Sequence, residues 1–152
     1  MRHRDQWPEL LEKKKYILFF ASLAEYNEKL EEDQTINRLQ ESIDLFRSIV
    51  EHMQAKRNVD TKKFQEKSFM LMLNKEDLFR TKFIDEKISL SKYFPDYKGP
   101  ENDINKAKDF IKNLFLDGID NAKIYTRFTI AIDESNVKSV FNDIMHNAFF
   151  SE

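Results

Sequence analysis

Ser68-Phe69-Met70-Leu71-Met72-Leu73-Asn74-Lys75-Glu76-Asp77 decides the fold: a short apolar run with no polar alternation, broken off by four polar residues. A run of this length without alternation reads as a strand buried on both faces, the kind found in parallel sheets. The carboxyl end of such a strand is where open α/β sheets place their ligands. Upstream, Tyr16-Ile17-Leu18-Phe19-Phe20-Ala21-Ser22 is a second run of the same kind, and downstream Ile124 to Ile132 is a third, rich in β-branched and aromatic residues.

Helical periodicity fills the intervals. Ile36, Leu39, Ile43, Phe46, Ile49 and Val50 step by three and four along one face, with Asp33 available as the cap. Ile104, Ala107, Ile111, Leu114 and Phe115 mark a helix that stops before Asp117-Gly118. Val137, Val140, Phe141, Ile144, Met145 and Ala148 mark a last one, started by Asp133 or Ser135. Leu78 to Phe83 reads as a short helical turn, and two prolines and Gly99 make Tyr93 to Pro100 a loop. Residues 51–67 lose the periodicity and collect Lys56, Arg57, Lys62, Lys63 and Lys67, which predicts a polar surface insertion. Strands alternating with helices specify an α/β class: a parallel sheet with flanking helices joined by right-handed crossovers.

Composition narrows the function. The 152 residues suffice for a single domain over 1–152. A net charge of -2 provides no global basic field for nucleic acid. With no cysteine, disulfide frameworks, thiolate zinc sites and cysteine nucleophiles are excluded. His3, His52 and His146 lack ligand spacing, so no metal site is expected, and no catalytic Ser/His/Asp arrangement can be assembled. No apolar run approaches the roughly 18 residues of a transmembrane segment. Gly99 and Gly118 are the only glycines, which excludes a glycine-rich phosphate cradle within these residues.

The four polar residues after the central run carry chemistry. Asn74-Lys75-Glu76-Asp77 is an N-K-x-D arrangement. A carboxylate accepts two hydrogen bonds side by side. Guanine offers two adjacent donors, N1–H and the exocyclic amine, whereas adenine presents an acceptor at N1. Unpaired polar groups in a site discriminate strongly, so Asp77 would select guanine if this segment holds a base; the plain alternative for these four residues is a charged turn after a strand. Asn74 either bonds guanine N7 or ties neighbouring loops together. The stem of Lys75 lies along a base plane with its ammonium outside, and Glu76 is the least constrained of the four.

Several motifs in order resemble the α subunits of heterotrimeric G proteins, over essentially the whole chain. Leu71 to Phe79 is similar to that family's guanine-specificity segment, F-L-N-K-x-D-L-F. Tyr93-Phe94-Pro95-Asp96-Tyr97-Lys98-Gly99 resembles its Y-F-P-x-Y-x-G loop, and Glu32 to Ser42 its E-D-x-x-x-N-R-M-x-E-S helix. Thr129-Ile130-Ala131-Ile132-Asp133 stands where the family has T-C-A-T-D. The resemblance implies a partial Ras-like P-loop GTPase domain binding GTP or GDP. It assigns a guanine-contacting set of Asn74, Lys75, Glu76, Asp77 and Ala131, the last through its backbone N–H to guanine O6. Ile130 and Ile132 depart from the family's cysteine and threonine, beside a main-chain contact that does not need those side chains.

The resemblance also implies partners: a βγ dimer, receptors and effectors, at the cytosolic face of the plasma membrane. Trp7, in Arg2-His3-Arg4-Asp5-Gln6-Trp7, resembles the tail of the second switch and is a candidate effector or βγ contact, with core packing or a fraying end as its plain reading. The phosphate loop, the switch arginine, the catalytic glutamine and the Mg²⁺ ligands of the family match nothing here, so no catalytic residue is assigned and this chain alone is expected to lack GTPase activity. The final helix ends at Glu152, short of the family's receptor-docking tail. The alternative reading is a truncated interaction module that competes for G-protein effectors or regulators without binding nucleotide.

Overall fold

The computed structural model describes residues 16–59, 68–119 and 123–130. Strand β1 (Tyr16–Ser22) leads into a 3-10 turn (Leu23–Asn27) and helix α1 (Arg38–Val59). Strand β2 (Ser68–Asn74) is followed by the short helix α2 (Glu76–Arg80), a π turn (Thr81–Asp85), helix α3 (Ile104–Leu116) and strand β3 (Lys123–Phe128). The sheet order is β1-β2-β3 and both pairings are parallel. The apolar run at 69–73 is unbroken because β2 is central, and all five of its inner residues are buried.

Period-two alternation splits β2 between two faces. Phe69, Leu71 and Leu73 join the main core with Ile17 and Ala21, while Met70 and Met72 form a second cluster with Tyr16, Leu18 and Tyr125. Phe46 of α1 is the centre of the main core. Its ring meets Phe19 at 5.3 Å, Phe115 at 5.7 Å and Phe69 at 6.4 Å between centroids, each edge-on, the arrangement the ring quadrupole favours. One side chain thereby joins β1, β2, α1 and α3. At the sheet margin Phe20 is 43% exposed.

The helix expected from Thr35 begins at Arg38, and its cap is Asn37 rather than Asp33. Asn37 Oδ1 accepts from the Gln40 N–H at 3.0 Å, and its Nδ2 donates to the Tyr26 carbonyl at 2.6 Å. Asp33 instead closes a local turn, accepting from Thr35 N–H at 3.0 Å and Oγ1 at 2.6 Å, and the Thr35 hydroxyl holds its carboxyl below the usual carboxylate range. The polar stretch predicted as a surface insertion over 51–67 is helical as far as Val59. Met53 is buried three residues after Val50 on the same stripe, and Glu, Gln, Ala and Lys around it are good helix formers. Residues 60–67 lie outside the described residues.

Helix α3 matches its expected span. Asp103 caps it by accepting from the Lys106 N–H at 3.1 Å, and Gly118 follows its end at φ 78°, a left-handed conformation that glycine adopts without strain. Arg47 of α1 reaches across to donate to the Leu114 carbonyl at 3.2 Å, satisfying an acceptor in the last turn of α3. In the Tyr93 to Pro100 loop the Tyr97 ring lies over Gly99, where any Cβ would come within 2.7 Å of it. Strand β3 ends at Phe128, short of the expected Ile132, and Ile130 is 62% exposed. The helix expected over 137–148 lies outside the described residues.

Candidate functional site at the carboxyl ends of the strands

The register brings Ser22 of β1 beside Asn74 of β2, and Leu73 beside Phe128 of β3, so three connections leave the sheet at one edge. Two of them are stitched together by Thr129. Its N–H donates to the Leu73 carbonyl at 2.9 Å, and its own carbonyl accepts from the Glu76 N–H at 2.9 Å. Its hydroxyl donates to Asn74 Oδ1 at 3.0 Å. The bond to Leu73 continues the pairing with β2, and the bond from Glu76 lies past the end of β2, which is where β3 ends.

Lys75 sits in the left-handed region at φ 59°, ψ 41°. For a side chain larger than glycine this backbone costs on the order of 1 kcal/mol, and such strain concentrates at functional sites. It turns the chain sharply from β2 into α2, where the Lys75 carbonyl accepts from the Phe79 N–H at 2.9 Å. Asp77 falls in the first turn of α2, exposed and with no side-chain partner among the described residues.

Phe79 anchors this turn from beneath. It is fully buried, meeting Tyr26 at 5.3 Å and stacking on Phe83 at 5.6 Å with planes 8° apart. Tyr26 donates its hydroxyl to the Ile88 carbonyl at 2.8 Å, and burial, with Tyr93, Glu101 and Glu86 nearby, pushes its phenol well above the usual range. Lys82 fastens the π turn to the connection after β1, donating to the Ala24 carbonyl at 2.7 Å, Asn27 Oδ1 at 2.8 Å and Glu28 Oε2 at 3.1 Å. The connection after β2 is therefore braced on both sides, by Lys82 toward β1 and by Thr129 toward β3.

Of the residues singled out in the sequence, Asn74, Lys75, Glu76 and Asp77 are brought together at this edge, whereas Ala131 and Trp7 lie outside the described residues. Asn74 takes the loop-tying role. The Glu76 carboxylate is engaged by Lys108 of α3, 2.6 Å away. Sequence reasoning missed the Thr129 side chain, Lys108 and Lys82. Lys108 follows Ala107 at the margin of the apolar stripe of α3, where a lysine stem can be buried, but no local signal pairs it with a residue 32 positions upstream.

A cavity of about 260 Å³ lined by Ile84, Lys87, Ile88, Ser89, Glu101 and Asn102 contains none of these residues. Beside it Glu101 is a structural staple: its carboxylate accepts from Ser89 Oγ and the Leu90 N–H at 3.0 Å and the Ser91 N–H at 3.1 Å. Partial desolvation raises its pKa, but these hydrogen bonds outweigh that and hold it below the usual glutamate range. Among the described residues no group of three or more His, Asp or Glu is placed to hold a metal ion. Nor, among them, is any helix long and apolar enough to cross a membrane.

The comparisons with known proteins agree with this geometry. A family model described as G-protein alpha subunit matches residues 2–148. The guanine nucleotide-binding protein alpha-9 subunit of Dictyostelium discoideum is 37% identical over 145 residues, covering 95% of this chain and 39% of the relative. The alpha-1 subunit of Caenorhabditis briggsae is 35% identical over 151 residues, 98% of this chain and 40% of the relative. The alpha-7 subunit of Dictyostelium discoideum is 36% identical over 143 residues, 93% of this chain and 34% of the relative. The chain thus spans about two fifths of the length of these relatives or slightly less. With its central parallel strand running into N-K-x-D and the family match extending over almost every residue, the chain belongs to the G-protein alpha subunit family, and its sheet is part of that family's Ras-like GTPase domain.

Proposed function

We propose that this chain carries the guanine-recognition half of the nucleotide site of a G-protein alpha subunit-like signal transducer. The observation that carries the reading is the Asp77 carboxylate, exposed and without a side-chain partner among the described residues, in the first turn of α2 just past a central strand whose surroundings are braced from both sides. It accepts from guanine N1–H and the exocyclic amine. The stem of Lys75 covers one face of the base, Asn74 keeps the loop in register through Thr129, and the Ala131 N–H donates to guanine O6. Adenine at this position would set its N1 lone pair against a carboxylate, which is the basis of discrimination.

GTP or GDP is the ligand, and a βγ dimer, receptors and effectors are the partners of a protein of this kind. Phosphoryl transfer depends on a phosphate cradle, Mg²⁺ and a water-orienting group, and no residue of this sequence is assigned to any of these roles. We therefore assign base recognition and no hydrolytic step, and expect these 152 residues alone to leave GTP unhydrolysed.

The test is a titration of the full chain with fluorescent GDP and GTP, with ATP as competitor and Asp77→Asn as control. Guanine-selective binding lost in the control supports the reading. A folded chain that binds neither nucleotide overturns it and leaves the competing interaction module, for which a nucleotide-independent pull-down of βγ or effector is the positive result.

A further inference from the structure

The Glu76–Lys108–Phe128 cluster has no part in the base contacts proposed above, although Glu76 is itself the third residue of N-K-x-D. Lys108 Nζ is 2.6 Å from Glu76 Oε1 and 4.4 Å from the centroid of the Phe128 ring. The Lys108 side chain is only 13% exposed and that of Glu76 26%. An ammonium held between a carboxylate and a ring face in a partly desolvated place gains from both contacts. Its two partners stand on different elements, Glu76 at the start of α2 and Phe128 at the end of β3. Glu76 is the third residue of N-K-x-D, and Phe128 immediately precedes Thr129, whose carbonyl accepts the Glu76 N–H. Lys108 of α3 thus grips both sides of the seam that Thr129 closes.

The cluster also separates two adjacent carboxylates. Glu76 and Asp77 are neighbours in sequence, and two unpaired carboxylates in one site would compete for the same donors and repel each other. Glu76 is drawn toward α3 and neutralised, while Asp77 stays open.

We propose that Lys108 is a positioning residue for guanine recognition: it clamps the loop after β2 to the end of β3 and sequesters Glu76, so that Asp77 is the one carboxylate presented to the base. The proposal rests on the guanine reading above. It needs charge, so Lys108→Arg keeps the function and Lys108→Met, which retains an apolar stem, loses it.

Amide hydrogen exchange on the ligand-free full-length chain is measured by NMR alongside the fluorescent GDP titration, for wild type, Lys108→Met and Lys108→Arg. In Lys108→Met the Glu76 and Thr129 amides exchange about tenfold faster while those of Leu71 and Phe69 keep their rates, and GDP affinity falls about tenfold with a narrower preference over ATP. Lys108→Arg restores most of both. Unchanged exchange at Glu76 and Thr129, a uniform rise through β2, or failure of the arginine to rescue overturns the proposal. Wild-type GDP binding that Lys108→Met leaves intact overturns it while the guanine reading stands. Absence of GDP binding in a folded wild type overturns the guanine reading and, with it, any role of Lys108 toward a base.

Discussion

Thr129 donates its hydroxyl to Asn74 Oδ1 at 3.0 Å, joining two side chains 55 residues apart in sequence, each just beyond or at the end of a parallel strand. The same residue makes both main-chain bonds across the seam. The side-chain bond therefore adds orientation to a loop whose position the backbone already sets. Thr129→Val keeps the shape, removes the donor and leaves Asn74 Oδ1 without it, at a cost of about 1 kcal/mol. The expected outcome is a small drop in denaturation midpoint with a weaker affinity for fluorescent GDP; an unchanged midpoint and affinity would show the hydroxyl to be dispensable.

Phe46 touches rings from β1, β2 and α3. Phe46→Ala opens a cavity where these three rings converge and is expected to destabilise by about 3–5 kcal/mol. Urea denaturation followed by circular dichroism checks this, and a loss below about 1 kcal/mol would contradict the central position given to the ring.

Lys82 satisfies a carbonyl, an amide oxygen and a carboxylate at once, with a side chain 16% exposed. Lys82→Met leaves these acceptors unmatched and is expected to cost about 1–3 kcal/mol. Because the break falls between the π turn and the connection after β1, protease nicking between Leu23 and Glu28 should appear before global unfolding. Limited proteolysis with mass spectrometry reads the site of the first cut.

Tyr26 has its phenol raised above the ordinary 10.0, first by burial and then by Tyr93, Glu101 and Glu86. A group whose folded pKa lies above its unfolded value contributes stability that is complete below the unfolded value and is lost as pH rises past it. Between about pH 9 and pH 11 the unfolded chain ionises this tyrosine and the folded chain does not, so the denaturation midpoint should fall. Tyr26→Phe is less stable at neutral pH, having lost the bond to the Ile88 carbonyl, and its midpoint falls less steeply over the alkaline range. Equal slopes in both proteins would remove Tyr26 as a contributor.

Much of the architecture was legible because the relevant signals are local. The apolar run at 69–73, the stripe from Ile104 to Phe115 and the glycine after it each carry their own period or cap. The misreadings came where two local signals competed. Asp33 and Asn37 are both good caps, and the choice fell to Asn37 because its amide also reaches the Tyr26 carbonyl, a contact from another element. Helix α1 continued past Val50 because Met53 found core to fill, although the surrounding residues are polar. Strand β3 stopped early because its partner β2 ends at Asn74, and the Thr129 carbonyl is taken by the Glu76 N–H beyond it.

The order of motifs by itself determined the family, the parallel α/β class and the four-residue segment proposed to bear the site, since these depend on side-chain type at fixed spacing. Only the tertiary structure decided how that segment is held. Thr129, Lys82 and Lys108 meet their partners 55, 58 and 32 residues away, and contacts at such separation leave no periodic trace in the chain. The division between Glu76, paired with Lys108, and Asp77, exposed beside it, follows from where α3 packs: two acidic neighbours alike in sequence are told apart by one part-buried ammonium.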